Sequence, residues 1–205
     1  MNLKENFLQL CFNFNNDQTF INKLWHEIEQ KYSEKERHYH NLNHLETMLS
    51  ELEPVKNKIV NFSNLSFSVF YHDVIYDAPS KYNEEKSAEF AATKLEQLGL
   101  NKIDITQIQE QILATKSHQK SINEDINYLL DADLSILGKD RQTYLAYTKK
   151  IRKEYLIYPD LLYKHGRKKV LQHFLELKSI FKTDYFIDKY EIQARENIEF
   201  ELKNL

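Results

Sequence analysis

A histidine and an aspartate stand side by side in the segment YHDVIYD, residues 71–77, at the end of an apolar run. Imidazole nitrogens and carboxylate oxygens bind divalent metal ions, and both groups can also act as acids or bases. An isolated His-Asp pair beside a core is weak evidence for either chemistry. The pair His72 and Asp73 therefore directs attention to other histidines and carboxylates that share a helix face with apolar residues.

Asp133 is such a carboxylate. In the segment INEDINYLLDADLSILG, residues 122–138, positions three and four apart share a helix face, which puts Asp133 in the middle of an apolar stripe and Asp131 on the other side. A carboxylate among leucines is costly unless it is paired. Asp133 therefore needs a metal ion, a proton or a basic side chain. The stripe consists of Ile126, Leu129, Leu130 and Leu137.

Three histidines, at positions 38, 40 and 44, occur in the segment ERHYHNLNHLETML. His40 and His44 are four residues apart and share a helix face if the helix begins early enough. If Asn43 is the N-cap, with Glu46 completing a capping box, His40 lies in the preceding loop. His44 borders the apolar face in both cases and is the better ligand candidate, with His40 as the alternative.

Two further polar side chains adjoin apolar stripes. Glu84 lies one turn before Ala88 on the buried face of a predicted helix, where a glutamate commonly complements the helix dipole. His118 continues the isoleucine stripe of the next predicted helix. Taken alone, each is more often structural than functional.

The composition describes a single soluble globular domain over residues 1–205, with 41% hydrophobic and 29% charged residues. No run approaches the ~18 to 20 apolar residues that span a bilayer, and the N-terminal segment does not resemble a secretory signal, so we expect a cytoplasmic protein with no membrane partner. Cys11 is the only cysteine. Any metal ligands must therefore be His, Asp or Glu.

The net charge of −3 is unevenly distributed. Residues 139–182 contain twelve Lys and Arg against four Asp and Glu, a local +8 that leaves −11 for the rest. A basic segment can contact phosphate-bearing ligands. These charges interleave with Tyr and Leu at helical spacing, which favours solvated helix faces, and the acidic overall balance disfavours nucleic acid as a partner.

The elements that position these groups are predicted to be helices, because three Gly and three Pro are too few for the turns of an all-β protein. Residues 62–76 fit a helix and a strand equally, and a longer connection is expected after Pro54. Gly99 and Gly138 are predicted helix terminators. The predicted helices cover 4–12, 17–31, 43–52, 83–98, 104–118, 123–137, 141–157, 160–181 and 185–203.

The order of the candidate ligands is more specific than any one of them. The blocks RHYHNLNHLETML, FYHDVIYD, NEEKSAEF, ILATKSH and LLDADLSILG occur in that order, followed by YTKKIRKEY, GRKKVLQHFL and ARENIEFEL. Over most of its length the chain resembles a small bacterial family of predicted phosphohydrolases in the HD superfamily. The resemblance implies an all-α, HD-type helical bundle with a metal site between helices. It also implies a helix over 62–72.

Carried over residue by residue, the resemblance implies metal ligation by His44, His72, Asp73 and Asp133. The block HDVIYD resembles the H-D-x-x-E-D motif of alarmone hydrolases, with Tyr76 in place of the Glu and Asp77 as the matching carboxylate. Asp77, with Glu84 as a second candidate, would orient or deprotonate the attacking water.

Two histidines and two carboxylates suit Mn, Fe, Co, Ni or Zn better than Mg or Ca. The expected activity is metal-dependent hydrolysis of a phosphomonoester or phosphoanhydride, with a nucleotide as the leading candidate. The alternatives are a nucleotide-binding or metal-binding module without turnover and a nucleic-acid-binding helical protein, and a homo-oligomer stays open. The residues expected to bind phosphate oxygens are Arg37, His40, Lys116, His118, Arg152 and Arg167.

Overall fold

The chain folds into a bundle of α-helices in the computed structural model, which describes residues 2–205. No strand occurs in this part of the chain, and the predicted all-α class is confirmed. Two 3₁₀ helices, Glu53–Lys58 and Ser135–Gly138, connect longer elements. The α-helices are α1 (Leu3–Phe12), α2 (Gln18–Tyr32), α3 (Leu42–Leu52), α4 (Phe62–Tyr71), α5 (Asn83–Leu98), α6 (Lys102–Ala114), α7 (Glu124–Leu134), α8 (Arg141–Glu154), α9 (Asp160–Glu176) and α10 (Asp184–Asn204).

The start of α3 differs from the prediction because Asn41, and not Asn43, caps it. The Asn41 side chain accepts a hydrogen bond from the backbone N–H of Asn43, so Leu42 is the first helical residue. Pro54 follows the end of α3, as expected. It lies in the first turn of a 3₁₀ helix, where its missing N–H costs no hydrogen bond.

The run that fitted a helix and a strand equally is α4. Residues 64–71 are all buried, so both its apolar and its polar residues face protein, which explains the misleading alternation. Its serines stay in the core because the hydroxyls of Ser66 and Ser68 donate to the carbonyl oxygens of Phe62 (2.6 Å) and Asn64 (3.1 Å). His72 is the C-cap of α4.

Gly99 ends α5 with a left-handed φ of 103°, as predicted. Asn83 is the first helical residue of α5, as the predicted range 83–98 has it. Its side chain accepts from the backbone N–H of Asp77 (3.1 Å) and donates to the Asp77 carbonyl oxygen (3.0 Å). Asn83 thereby fixes the loop that follows the His-Asp pair against α5.

Two carboxylates in the last turns of α7, Asp131 and Asp133, have separate partners. Asp131, which is fully buried, accepts hydrogen bonds of 2.8 Å from the backbone N–H groups of Lys182 and Thr183 and from the Thr183 hydroxyl. Asp131 thus anchors the segment that leads into α10. Burial raises its pKa to about 6, although the Thr183 bonds act against this. Asp133 points to a different side, as the helical pattern predicted.

Four helices end earlier than predicted, at Ala114, Leu134, Glu154 and Glu176. The segments that follow Ala114, Glu154 and Glu176 contribute to the wall of the cavity described below. None of the helices in the described chain is long and apolar enough to cross a membrane.

Candidate metal centre and adjoining cavity

Three of the four predicted ligands meet where helix ends converge. One ligand atom from each of His44, His72 and Asp133 lies within 4.8 Å of the other two. His44 is in the first turn of α3, His72 caps the end of α4, and Asp133 is near the end of α7. These three residues, together with Asp73, are called the ligand cluster. Of the two histidines that the sequence left open as first ligand, His44 is the one that belongs to this group.

Asp73 lies beside His72 and outside the compact trio. Its Oδ2 is 3.1 Å from Nε2 of His72. The buried guanidinium of Arg37 donates to the carbonyl oxygens of Asp73 (2.6 Å), Val74 (3.0 Å) and His40 (3.3 Å). Predicted to bind phosphate, Arg37 is instead engaged by backbone groups and holds the segment that carries Asp73.

Two buried ring nitrogens of the cluster lack a hydrogen-bond partner in the described chain. Nε2 of His44 is 3.1 Å from Oδ1 of Asp133 without forming a hydrogen bond to it. Nε2 of His44 and Nε2 of His72 are both buried, and neither has a hydrogen-bond partner in the described chain. A buried unsatisfied polar atom costs about 1–3 kcal/mol, and an ion that binds it is one explanation. Nδ1 of His72 donates to the Val69 carbonyl oxygen (2.9 Å), so Nε2 is the ring nitrogen that is left for an ion, to which it offers a lone pair once it has lost its proton.

The charges of the cluster favour a bound cation. Burial lowers the pKa of His44, whereas the carboxylates of Asp73 and Asp133 overcome the effect of burial on His72 and raise its pKa to about 9. Burial acts to raise the pKa of Asp73, but His72 outweighs it and holds that pKa well below its usual range. In the metal-free protein a proton on His72 thus compensates the carboxylates, and a divalent ion would replace it.

Metal binding is therefore expected to release a proton. His72 is protonated below its raised pKa of about 9, and Nε2 must lose that proton to bind an ion. The apparent affinity for Co²⁺ should rise about tenfold per pH unit between pH 6.5 and 9 and then level off. Calorimetric titrations in buffers of different ionisation enthalpy measure the released proton. An affinity that does not change over this pH range would contradict ligation by His72.

His118 binds the second oxygen of a ligand carboxylate. Its Nε2 is 2.9 Å from Oδ2 of Asp133, which places Asp133 between His118 and His44. The backbone of His118 has a φ of 51°, an uncommon conformation for a residue with a side chain. Such conformations are costly and often occur at functional sites. His118, predicted to bind phosphate, therefore also orients a ligand.

The remaining predicted phosphate-binding cations have protein partners. Arg152 pairs with Asp160 and Arg167 pairs with Glu201 through bonds of 2.8 and 3.0 Å. These contacts join α8 to α9 and α9 to α10, so both arginines have structural roles. Lys116 pairs with Glu85 at the cavity wall.

The two predicted catalytic carboxylates differ in position. Asp77 is exposed in the loop before α5 and does not line the cavity. Glu84, in the first turn of α5, is half-buried and lines the cavity together with His40 and His118. Glu84 is therefore the better placed of the two.

Sequence reasoning missed Glu154, at the end of α8. Its fully buried carboxylate accepts from the backbone N–H groups of Tyr39 (2.6 Å) and His40 (2.9 Å) through Oε1, and it contacts Nδ1 of His40 (2.6 Å) and the Tyr76 hydroxyl (3.1 Å) through Oε2. Burial acts to raise the pKa of Glu154, but the His40 contact outweighs it and lowers that pKa. The signal for Glu154 was its position three residues after Ile151 on the buried face of α8.

A cavity of about 1550 Å³ adjoins the ligand cluster through His40 and His118. Its wall contains more cations than carboxylates, and aromatic side chains cover much of the rest. Such a wall suits an anionic ligand that also carries an aromatic group. The cations are Lys116, Lys120, Arg167, Lys169, Lys178 and Lys182, the carboxylates are Glu84 and Glu191, and the aromatic residues include Tyr147, Tyr155, Tyr158, Tyr163, Phe174 and Phe181.

Comparison of the chain with protein-family models, with curated proteins and with solved structures found no match. The resemblance to HD phosphohydrolases therefore stays a prediction.

Proposed function

We propose that the protein is a metal-dependent phosphohydrolase of the HD type, which hydrolyses a phosphomonoester or phosphoanhydride, with a nucleotide as the leading candidate. The observation that carries the proposal is the convergence of His44, His72 and Asp133, with two buried ring nitrogens that lack hydrogen-bond partners in the described chain.

The donor set fits a transition metal. Imidazole nitrogens and carboxylate oxygens suit Mn, Fe, Co, Ni or Zn, and Mg less well. His44, His72 and Asp133 would hold the ion, with Asp73 as the fourth ligand. A bound ion would lower the pKa of a water and polarise a phosphoryl oxygen. Val69 and His118 orient two of the ligands, which supports a preformed site.

The adjoining cavity supports a nucleotide as substrate. Its lysines can attract phosphate groups, and its tyrosines provide flat surfaces against which a base can stack. Among the lysines, Lys182 is 6% exposed, and its Nζ donates to the Ile180 carbonyl oxygen (2.6 Å). An ammonium group buried in this way favours an anion in the cavity.

A second candidate is a nucleotide-binding or metal-binding module without turnover. The observation that favours it is the exposed position of Asp77, together with Tyr76 where the alarmone-hydrolase motif has Glu. Of the two carboxylates predicted to be catalytic, Glu84 lines the cavity and Asp77 does not.

The test combines metal analysis with a screen of nucleotides and phosphate esters in Mn²⁺, Co²⁺ and Ni²⁺. We expect about one ion per chain and phosphate release from at least one nucleotide. Nucleotide binding by calorimetry without hydrolysis under any metal would favour the second candidate. Unchanged metal content after His72→Ala and after Asp73→Ala would refute the proposed ligands.

A further inference from the structure

Glu154 joins three segments that are distant in the sequence. It belongs to α8, and its carboxylate binds the loop before α3 through Tyr39 and His40 and the loop after α4 through Tyr76. The side chain is fully buried, and its oxygens have four polar contacts in all. A buried carboxylate with this many contacts holds its neighbours firmly.

The orientation of His40 follows from the contact with Glu154. An ionised carboxylate only accepts hydrogen bonds, so Nδ1 of His40 must carry a proton and donate a hydrogen bond to Oε2 of Glu154. This contact leaves Nε2, on the opposite edge of the ring, for a ligand in the cavity. His40 lines that cavity. The ring is further fixed by Tyr76, with centroids 4.4 Å apart, and by Tyr39 at 5.0 Å.

His40 is beside the ligand cluster without belonging to it. Its ring centroid is 5.8 Å from that of His44, yet the compact group of ligand atoms contains His44, His72 and Asp133 alone within the described residues. His40 therefore lines the cavity at a position next to the ligand cluster.

Tyr76 gains an explanation from the same contacts. It stands where the alarmone-hydrolase motif has Glu, and its hydroxyl donates to Oε2 of Glu154. The carboxylate next to Tyr76 is therefore that of Glu154, which belongs to α8. It contacts His40 and is shielded from solvent.

We propose that Glu154 is a positioning residue: it fixes the His40 ring and stabilises it as imidazolium, so that the Nε2–H group of His40 donates a hydrogen bond to a phosphoryl oxygen of the substrate. This inference rests on the proposed function and adds a substrate contact to it. Glu154 acts through His40, so the loss of either residue should remove the same interaction.

The test uses two substitutions that leave most of the packing unchanged. His40→Asn keeps a donor near the position of Nδ1, and thus the Glu154 contact, but removes Nε2. Glu154→Gln keeps the volume but presents an amide N–H₂ group to the donors of His40 or Tyr76, which disfavours the Nδ1–H form of His40. Nitrogen NMR of the histidines reports that change directly.

We expect both variants to keep their metal content and to lose about 10²–10³-fold in kcat for the nucleotide that the wild type hydrolyses best. The double variant should be no worse than His40→Asn. Tyr76→Phe, which removes one of the four contacts, should lose less than about tenfold. Glu51→Gln is the matched control, because Glu51 is also a buried carboxylate that binds a tyrosine hydroxyl and cations, and it lies outside the cavity.

Unchanged kcat in His40→Asn would overturn the inference, even if Glu154→Gln does not fold. Additive losses in the double variant would overturn the claim that Glu154 acts through His40. If the wild type hydrolyses no substrate, the test is instead the affinity for inorganic phosphate, compared between the Co²⁺-loaded wild type and the two Co²⁺-loaded variants. A loss of about tenfold or more in both variants then supports the contact while the proposed hydrolysis fails, and equal affinities overturn it.

Discussion

Asp133→Asn is expected to remove the metal ion, whereas Asp131→Asn, two residues away in the same helix, should retain it. An amide in place of the Asp133 carboxylate would be neutral and a weak ligand. The substitution would remove the negative charge that compensates the ion. It would also weaken the contacts of the two Asp133 oxygen atoms with His44 and His118. We expect metal affinity to fall by more than about 100-fold, because even changes behind the ligands cost 10–100-fold. Phosphate release should fall with it.

Asp131→Asn should have the opposite effects. An amide at this position cannot accept at both of the oxygen positions that now bind Lys182 and Thr183, so buried N–H donors at the start of α10 lose partners. The expected loss of stability is about 1–3 kcal/mol, measured by chemical denaturation. Metal content, measured by mass spectrometry after dialysis, should stay near that of the wild type. If the two variants lost metal equally, the separate roles of these carboxylates would be refuted.

Gly138→Ala is expected to be strongly destabilising. A Cβ atom at Gly138 would lie 2.4 Å from Cβ of Tyr190 and 2.8 Å from two of its ring atoms, so α10 would have to move away from the segment that follows α7. Overpacking of this kind costs about 1–3 kcal/mol or more. For a chain of this size each kcal/mol lowers the melting temperature by about 2–4 °C, so calorimetry should show a clear decrease.

Gly166→Ala provides the matched control for Gly138→Ala. Gly166 lies inside α9, and a Cβ there would meet no atom within 4 Å. The substitution should stabilise the protein by about 0.5–1 kcal/mol, because alanine favours the helix. Equal melting temperatures for Gly138→Ala and the wild type would show that Tyr190 moves aside at little cost.

The parts of the fold and site that the sequence predicted are those with a local signal. The apolar periodicity gave the helices, Gly99 gave the end of α5, and the same periodicity separated Asp133 from Asp131. His44 was favoured because it borders an apolar face. Each of these inferences depends on residues within a few turns of one another, where side-chain direction follows directly from helix geometry.

The parts that escaped prediction depend on contacts between distant segments. The role proposed for Glu154 depends on its contacts with residues 39, 40 and 76. The sequence around Glu154 does not specify these partners. The acceptors of Arg37 and Arg167 within the protein were not predicted, because they lie more than 30 residues away in the sequence. The ends of α6, α8 and α9 were placed too late. After α8 and α9, residues such as Tyr155 and Leu177 continue the apolar pattern into loops of the cavity wall, whereas α6 is followed by the polar residues 115–120.

The positions of Asp131 and Asp133 in α7 also have a consequence for folding. One of them docks the C-terminal helix and the other contributes to the proposed metal centre, so a single rigid turn joins the two. The ligands come from positions 44, 72 and 133, which approach one another only when most of the chain is ordered. An ion that binds this arrangement and not the unfolded chain stabilises every contact that forms it. By this linkage, occupancy of the centre and docking of the C-terminal helix support each other.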